Sequence, residues 1–274
     1  SVFYRIQGDG ALQMQSNELL LDEDGEKTLQ ARVKEVNRAE KFAVLQTVKD
    51  YTHPKNSVFG ITARNWGQNY ALNLLMDPEI DLVTLLGQAG TGKTLLTLAS
   101  ALTQVLDQQR YSEIIMTRVT VPLGNDIGFL PGTEEEKMNP WMGALEDNLE
   151  VLTHSDDMGG DWARAATHDM VASKIKIKSI NFMRGRTFQH KFLIIDEAQN
   201  LTSKQMKTMI TRAGEGTKIV CMGNLAQIDT PYLSEGSSGL TYLVDRFKNW
   251  PHFGHITMQH GERSRLAAHA VAVL

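Results

Sequence analysis

The segment with the clearest chemical meaning is a glycine-rich run that separates a strand-like stretch from a helix-like one. It comprises Gly87, Gln88, Ala89, Gly90, Thr91, Gly92, Lys93 and Thr94. Residues 81–86 are mostly apolar, and apolar residues recur at helical spacing over 95–106. Glycines let successive backbone N–H groups approach phosphate oxygens at a helix N-terminus. We therefore predict a phosphate-binding loop in which Lys93 neutralises the β and γ phosphates and the Thr94 hydroxyl binds Mg²⁺.

A second candidate site is the acidic pair Asp196 and Glu197, which ends the apolar run 192–195. Such a pair is often only solvated surface, but a phosphate-binding loop in the same chain favours a role in phosphoryl transfer. Asp196 is then predicted to hold Mg²⁺, directly or through water. Glu197 is predicted to accept a proton from the attacking water.

The elements that must position these residues follow from the pattern of the rest of the chain. From residue 57 onward, strand-like and helix-like segments alternate, which predicts an α/β fold with a mostly parallel sheet covered by helices on both faces. We place strands at 81–86, 113–117, around 175–180, 192–196, 217–222 and 255–258.

Residues 1–56 read differently and predict a small β-rich module. A glycine-containing turn at Gly8–Gly10 predicts a hairpin, Asp22–Gly25 a second turn, and Phe42–Leu45 a further strand. A polar link follows at residues 53–57. We therefore divide the chain into this module and a nucleotide-binding domain over 57–274.

The composition sets limits on the class of protein. The chain has 274 residues and no apolar run of membrane-spanning length, so we expect an intracellular, cytoplasmic protein. A single cysteine, Cys221, excludes an intrachain disulfide. The net charge of -4 argues against a protein that coats nucleic acid indiscriminately. Any binding to nucleic acid must therefore come from local basic clusters.

Four segments in this order resemble the PhoH family of ATPases: 87–94, Asp196–Gln199, Gly223–Asp229 and Gly261–Ser264. That family is in turn similar to the first RecA-like domain of superfamily 1 helicases. The likeness is greatest to the ATPase half of fused PIN-PhoH proteins, in which a PIN ribonuclease domain precedes the PhoH part and the whole acts on RNA. The resemblance covers 57–274 and is weak over 1–56.

The resemblance implies roles for three further residues. Gln68 matches a glutamine that reads adenine through both sides of its amide, although it could be only a polar residue on a helix running from Asn65. Gln227 matches a γ-phosphate sensor, the alternative being a loop side chain that faces water. Arg263, with Arg265 next, best matches the arginine that meets the charge of the γ-phosphoryl group, unless both are solvated. No Asn-Lys-x-Asp element for guanine occurs, so ATP is favoured over GTP.

A candidate contact for nucleic acid combines Arg118, which lies where the family contacts the backbone, with a cluster that we call the basic strip. The strip consists of Lys174, Lys176, Lys178, Arg184 and Arg186. Period-two alternation predicts that its three lysines lie on one strand face. Phe182 or Phe188 could stack a base, and Trp141 is a further candidate for stacking. The alternatives are a solvated edge strand protected by lysines and a tryptophan that serves packing.

Together these features predict a Mg²⁺-dependent ATPase with a RecA-like core, coupled to the binding or unwinding of single-stranded RNA. The alternative is a nucleotide-gated module whose slow hydrolysis switches its affinity for RNA or for a partner such as a ribonuclease domain. Superfamily 1 helicases take the arginine from a second RecA-like domain, but this chain has only a single such domain. The arginine would then act on a neighbouring subunit, and the resemblance implies a homo-oligomeric ring of six. Because the chain begins at Ser1 and lacks PIN-like carboxylates, we expect a fragment or processed form without nuclease activity.

Overall fold

The computed structural model describes residues 2–22, 29–119, 139–153, 161–180, 185–259 and 261, and these residues form two β-sheets. The first sheet contains β1 Phe3–Gln7, β2 Leu19–Asp22, β3 Leu29–Asn37 and β4 Phe42–Thr47. Its strands are antiparallel in the order β1-β4-β3-β2. Its small core consists mainly of alanine, valine and leucine side chains. The strand predicted over Phe42–Leu45 is thus confirmed as part of β4.

The hairpin predicted at Gly8–Gly10 is wrong. β1 pairs with β4, so that Tyr4 lies opposite Leu45, and residues Asp9–Gln13 form a 3₁₀ helix instead of a returning strand. The reason is that β1 finds its partner in the distant β4, and the Gly8 N–H extends this pairing by donating to Lys41 O over 2.9 Å. Ala11 N then donates to Gly8 O over 3.1 Å, which closes a turn that buries Ala11. Most of the turn predicted at Asp22–Gly25 lies outside the described residues.

The second sheet is parallel throughout its described strands. It contains β5 Leu82–Gly87, β6 Glu113–Arg118, β7 Ile175–Ile177, β8 Lys191–Asp196, β9 Lys218–Gly223 and β10 Phe253–Met258. The strand order is β10-β5-β9-β8-β6-β7. Each predicted strand is found, with its ends shifted by a few residues.

Helices cover both faces of this sheet. They are α1 Trp66–Met76, α2 Lys93–Leu102, α3 Asn139–Thr153, α4 Asp161–Lys174, α5 Ser203–Ile210 and α6 Gly239–Phe247. Helices α1 to α4 contribute to one apolar core, and α5 and α6 to the other. Among the described residues, no helix is both long and apolar enough to cross a bilayer.

Burial on both faces explains why the strands read as continuous apolar runs. In β5, Val83 and Leu85 enter the core under α1 and α2, whereas Leu82 and Leu86 enter the core under α6. Because all six strands are parallel, their carboxyl ends meet at one edge of the sheet. The register there sets Arg118 beside Asp196, Leu86 beside Gly223 and Gly87 beside Met258. We call this the carboxyl edge.

The first sheet is attached to the outer side of β10 and to α1. Asn17 donates its side-chain N–H groups to Pro251 O and Phe253 O, each over 2.8 Å. The Tyr70 hydroxyl donates to Asn17 O over 2.5 Å, and an Arg32–Asp77 ion pair of 2.6 Å adds a second link. The division of the chain at residue 56 stays a prediction.

Candidate active site

The phosphate-binding loop connects β5 to α2 at the carboxyl edge. Gly90 and Gly92 have φ values of 84° and 89°, which side-chain-bearing residues rarely adopt. A Cβ atom on Gly87 would lie 2.7 Å from Met258 O in the neighbouring strand. Gly92 is the N-cap of α2, and no side chain caps the first N–H groups of this helix. The loop therefore presents a helix N-terminus of the kind that binds phosphate.

Lys93 lies in the first turn of α2 and folds back over the loop. Its Nζ donates to Gly87 O over 2.5 Å and to Gln88 O over 2.8 Å. Burial lowers the pKa of Lys93, while the negative charges of Asp196 and Glu197 act in the opposite direction. Lys93 and the acidic pair therefore belong to one electrostatic site, although they are about a hundred residues apart in the sequence.

The acidic pair lies at the carboxyl end of β8. Burial raises the pKa of Asp196, and the adjacent charge of Glu197 raises it further, against the positive charges of Arg118 and Lys93. Two carboxylates held together in this way favour a nearby cation. The half-buried Thr94 hydroxyl and the Asp196 carboxylate are hard oxygen ligands of the type that Mg²⁺ prefers, so the donor set fits this ion.

Glu197 is held by two side chains and by an unusual backbone conformation. Its φ of 55° lies in the left-handed region. One carboxylate oxygen accepts a hydrogen bond from Arg118 Nη2 over 3.1 Å, and the other accepts one from Gln199 Nε2 over 2.5 Å. Arg118, predicted from the resemblance to contact nucleic acid, is therefore the ion-pair partner of the predicted catalytic base.

Gln199 ends the segment Asp196–Gln199 that carries the family resemblance, but the sequence predicts no role for this residue. It is fully buried, and besides Glu197 its Nε2 contacts Gln227 O at 2.9 Å while its Oε1 accepts from Asn224 N over 3.2 Å. It thereby joins the acidic pair to the loop 224–227, which carries the predicted sensor. No pattern in the sequence indicates this role, because the 3₁₀ turn at Ala198–Asn200 determines where the amide points.

The two glutamines implied by the resemblance differ in their surroundings. Gln227 is exposed in the loop that follows β9. Gln68 is buried in the first turn of α1, which starts after Asn65 as predicted. Its Oε1 accepts from Arg64 N over 2.9 Å and its Nε2 donates to Thr91 O over 3.1 Å. Reading adenine would require exchange of these bonds, so both roles stay predictions.

The basic strip is less regular than predicted. Lys174 is the last residue of α4, so it does not share a strand face with Lys176, which lies exposed on β7, or with Lys178. The prediction failed because the helix extends to the residue before the strand. Phe188 is only 5% exposed and packs in the apolar core, which makes its predicted base stacking wrong.

Several predicted residues cannot be placed relative to this site. Arg184, Phe182, Arg263 and Arg265 lie outside the described residues, as does the side chain of Trp141. Arg186 is described and exposed.

A family model, described as PhoH-like protein, matches residues 60–274. The chain belongs to the PhoH-like protein family. The match begins just after the first sheet and contains the loop, the acidic pair and the segment 223–229. The predicted α/β fold, a parallel sheet with a glycine-rich loop before α2 and helices on both faces, is confirmed.

Two relatives illustrate the extent of the similarity. Protein PhoH2 of Bacillus subtilis is 46% identical over 217 residues, which cover 79% of this chain and 48% of that protein. Protein PhoH2 of Mycolicibacterium smegmatis is 36% identical over 214 residues, covering 77% and 46%. The chain thus spans about half the length of the curated relatives it matches.

Two solved structures show a distant likeness. The Pif1 helicase from Candida albicans shares 15% identity at a TM-score of 0.38, over 77% of this chain and 43% of that one. Pif1 from a Bacteroides species, solved in complex with ADP-AlF4, shares 14% identity at a TM-score of 0.33, over 74% and 44%.

Proposed function

We propose that the chain hydrolyses ATP with Mg²⁺ at the carboxyl edge. The observation that carries this proposal is the convergence of Lys93, Asp196 and Glu197 beside a glycine loop that opens a helix. A cation at the phosphates and two carboxylates beside it are the groups that phosphoryl transfer requires. The absence of a guanine-reading element in the sequence favours ATP over GTP.

Each residue then has a distinct task. The N–H groups of the loop and the Lys93 ammonium bind the β and γ phosphates. Thr94 and Asp196 hold Mg²⁺, which when bound neutralises charge on these phosphates. Glu197 orients the attacking water and accepts its proton. Gln227, on the loop joined to Glu197 through Gln199, responds to the terminal phosphate, and Gln68 reads the base.

We further propose that hydrolysis is coupled to single-stranded RNA and to its unwinding. The family resemblance supports this, as do the locations of Arg118 and Lys178. Lys178 N donates to Met116 O over 3.0 Å, so this lysine lies beside the end of β6. A second candidate, a slow nucleotide-gated switch, is favoured by the engagement of both Glu197 oxygens. Strong stimulation of turnover by RNA distinguishes the motor from the switch.

The proposed working form is a homo-oligomeric ring of six in which Arg263 reaches a neighbouring site. An adjoining PIN ribonuclease domain and a cytoplasmic location stay predictions.

The substitution Glu197→Gln tests the proposed hydrolysis. Glutamine keeps the shape of the side chain but cannot accept the proton, so ATP should still bind while turnover falls at least about a hundredfold. Lys93→Ala should instead weaken ATP binding, because it deletes a charge directed at the phosphates. Phosphate release and ATP affinity are measured for both variants.

Glu235→Gln is the matched control, because it makes the same chemical change at an exposed loop residue. It should leave turnover unchanged. Near-normal turnover in Glu197→Gln would remove this residue from the mechanism, and unchanged ATP affinity in Lys93→Ala would contradict the role of the loop.

A further inference from the structure

Arg118 connects two parts of the proposed function that the sequence treats separately. It lies at the end of β6 beside Asp196 at the end of β8, and its guanidinium donates to Glu197. The side chains are 33% and 27% exposed, so the pair is accessible to a ligand. One residue therefore touches both the predicted base and the surface predicted to meet nucleic acid.

The contacts of Glu197 restrain it. Arg118 binds one oxygen and Gln199 the other, so the carboxylate must give up a partner before it can turn toward an attacking water. Gln199 is fully buried and anchored to the loop 224–227, and it cannot easily move away. Arg118 is the partner at the surface, and it is the one that a ligand can remove.

We propose that Arg118 is a nucleic-acid-operated restraint on the catalytic base. A phosphodiester oxygen of single-stranded RNA takes over the guanidinium, and the Glu197 carboxylate is released to act on water. The inference rests on the proposed ATPase function and adds its regulation: turnover is slow without RNA and faster with it.

The chemistry of the exchange is favourable. A guanidinium remains charged and forms forked hydrogen bonds with phosphate as readily as with carboxylate. A partly exposed ion pair contributes little net stability, so a second anion can compete for the arginine. The guanidinium keeps an anionic partner throughout, and the released Glu197 carboxylate is partly exposed and keeps its hydrogen bond from Gln199.

The neighbouring charges direct a phosphate to this place. β7 is the outer strand of the described sheet next to β6, and it carries the exposed Lys176. Lys178 lies one step further along the same edge, where its N–H pairs with Met116 O. An RNA backbone attracted by these two lysines would pass the end of β6, where Arg118 lies.

The test is Arg118→Met, which keeps an apolar stem but has no donor or charge. ATP turnover is measured in the unmodified chain and in the variant, with and without poly(U) RNA. Without RNA, turnover of the variant should rise about two- to fivefold, which is the range expected when a partly exposed ion pair is lost. With RNA it should show almost no additional stimulation, and its affinity for RNA should fall.

Lys191→Met is the matched control. Lys191 pairs with Glu113 over 3.0 Å, across the same two strands but at their opposite ends, and the two side chains are 26% and 29% exposed. This variant loses an equivalent ion pair and should keep both the low turnover without RNA and the full stimulation.

Arg118→Lys retains the charge and serves as a control for a folding defect in Arg118→Met. It should keep part of the RNA stimulation. The inference is overturned if folded Arg118→Met, measured without RNA, hydrolyses ATP no faster than the unmodified chain. It is also overturned if RNA stimulates that variant fully, or if RNA does not stimulate the unmodified chain. Different outcomes would contradict the proposed ATPase function itself: an unmodified chain that does not hydrolyse ATP, or a Glu197→Gln variant that hydrolyses it at a near-normal rate.

Discussion

Gln199 shows how one buried amide can couple two parts of the proposed nucleotide site. Its hydrogen bonds join Glu197 to the loop that carries Gln227, so a change at either end reaches the other through a single side chain. The space that it occupies is limited by Gly223. A Cβ atom at residue 223 would lie 2.5 Å from Oε1 of Gln199 and 2.8 Å from Leu240.

We therefore expect Gly223→Ala to impair catalysis more than nucleotide binding. The added methyl group displaces Gln199, and misplacing a catalytic group by about 1 Å costs up to about a hundredfold in rate. The value of kcat for ATP hydrolysis should fall at least about tenfold, while KM changes little because the phosphate loop is untouched. Overpacking should also lower the free energy of unfolding by about 1–3 kcal/mol.

Gly236→Ala provides the comparison, because no atom lies within 4 Å of a Cβ atom built at this glycine. Its kcat should match that of the unmodified chain. An unchanged kcat in Gly223→Ala would show that Gln199 does not position Glu197.

At the residue scale, the sequence predicts what local spacing determines. Lys93, Asp196 and Glu197 are identified because the loop and the end of an apolar strand fix their positions. The Arg118–Glu197 pair depends on which strands are neighbours, and β6 and β8 are separated by more than seventy residues. Neither this pair nor the direction of the Gln199 amide is encoded in a local pattern.

Among the elements, the junction of α1 with β9 contains a fully buried lysine. Lys218, at the start of β9, donates from Nζ to Leu74 O over 3.0 Å and to Asp77 O over 2.9 Å. These carbonyls belong to the end of α1, where backbone oxygens lack helical partners. Burial, reinforced by Arg110 and Arg32 and opposed by Asp77 and Asp81, lowers the pKa of Lys218 to about 7.

This lowered pKa predicts a pH-dependent stability. Between about pH 7 and the ordinary lysine pKa of 10.5, the unfolded chain binds the proton and the folded chain does not. The contribution of Lys218 to the free energy of unfolding therefore rises with pH in this window, by at most about 1.4 kcal/mol per pH unit. It is fully present above the window and lost as the pH falls toward 7.

Urea unfolding at pH 7, 8 and 9 measures this effect against Lys218→Met, which cannot titrate. With each increase in pH, the free energy of unfolding of the unmodified chain should rise relative to that of Lys218→Met. For Lys204→Met, at an exposed position on α5, the free energy of unfolding should change with pH in parallel with that of the unmodified chain. Parallel curves for Lys218→Met as well would contradict the lowered pKa.

Elements were predictable where both faces of a strand are buried, because a continuous apolar run then marks the strand. Two errors occurred where local signals compete with tertiary structure. The Gly8–Gly10 turn leads into a 3₁₀ helix because β1 finds its partner in the distant β4. Lys174 ends α4 rather than starting a strand, since period-two alternation over a few residues does not determine where a helix stops.

For the whole molecule, the proposed ring makes each site depend on two subunits. Lys93→Ala subunits lack a usable phosphate site but keep Arg263, and Arg263→Ala subunits have the reverse defect. Each variant should be nearly inactive alone, and mixing them should restore part of the ATP turnover.

Turnover and assembly are measured on the same mixtures, with size-exclusion chromatography and light scattering as the readout of assembly. Co-assembled mixtures that stay inactive, beside an unmodified chain that is active as a monomer, would rule out the shared site.

The attachment of the first sheet through Asn17 also bears on how the chain is made. Asn17 bonds to backbone oxygens that lie 234 and 236 residues later in the sequence. During synthesis at about 5–20 residues per second, the first sheet leaves the ribosome roughly ten to forty seconds before β10 does. Its polar anchor at Asn17 must remain hydrated through that interval. The order in which the segments are synthesised therefore differs from the order in which they dock.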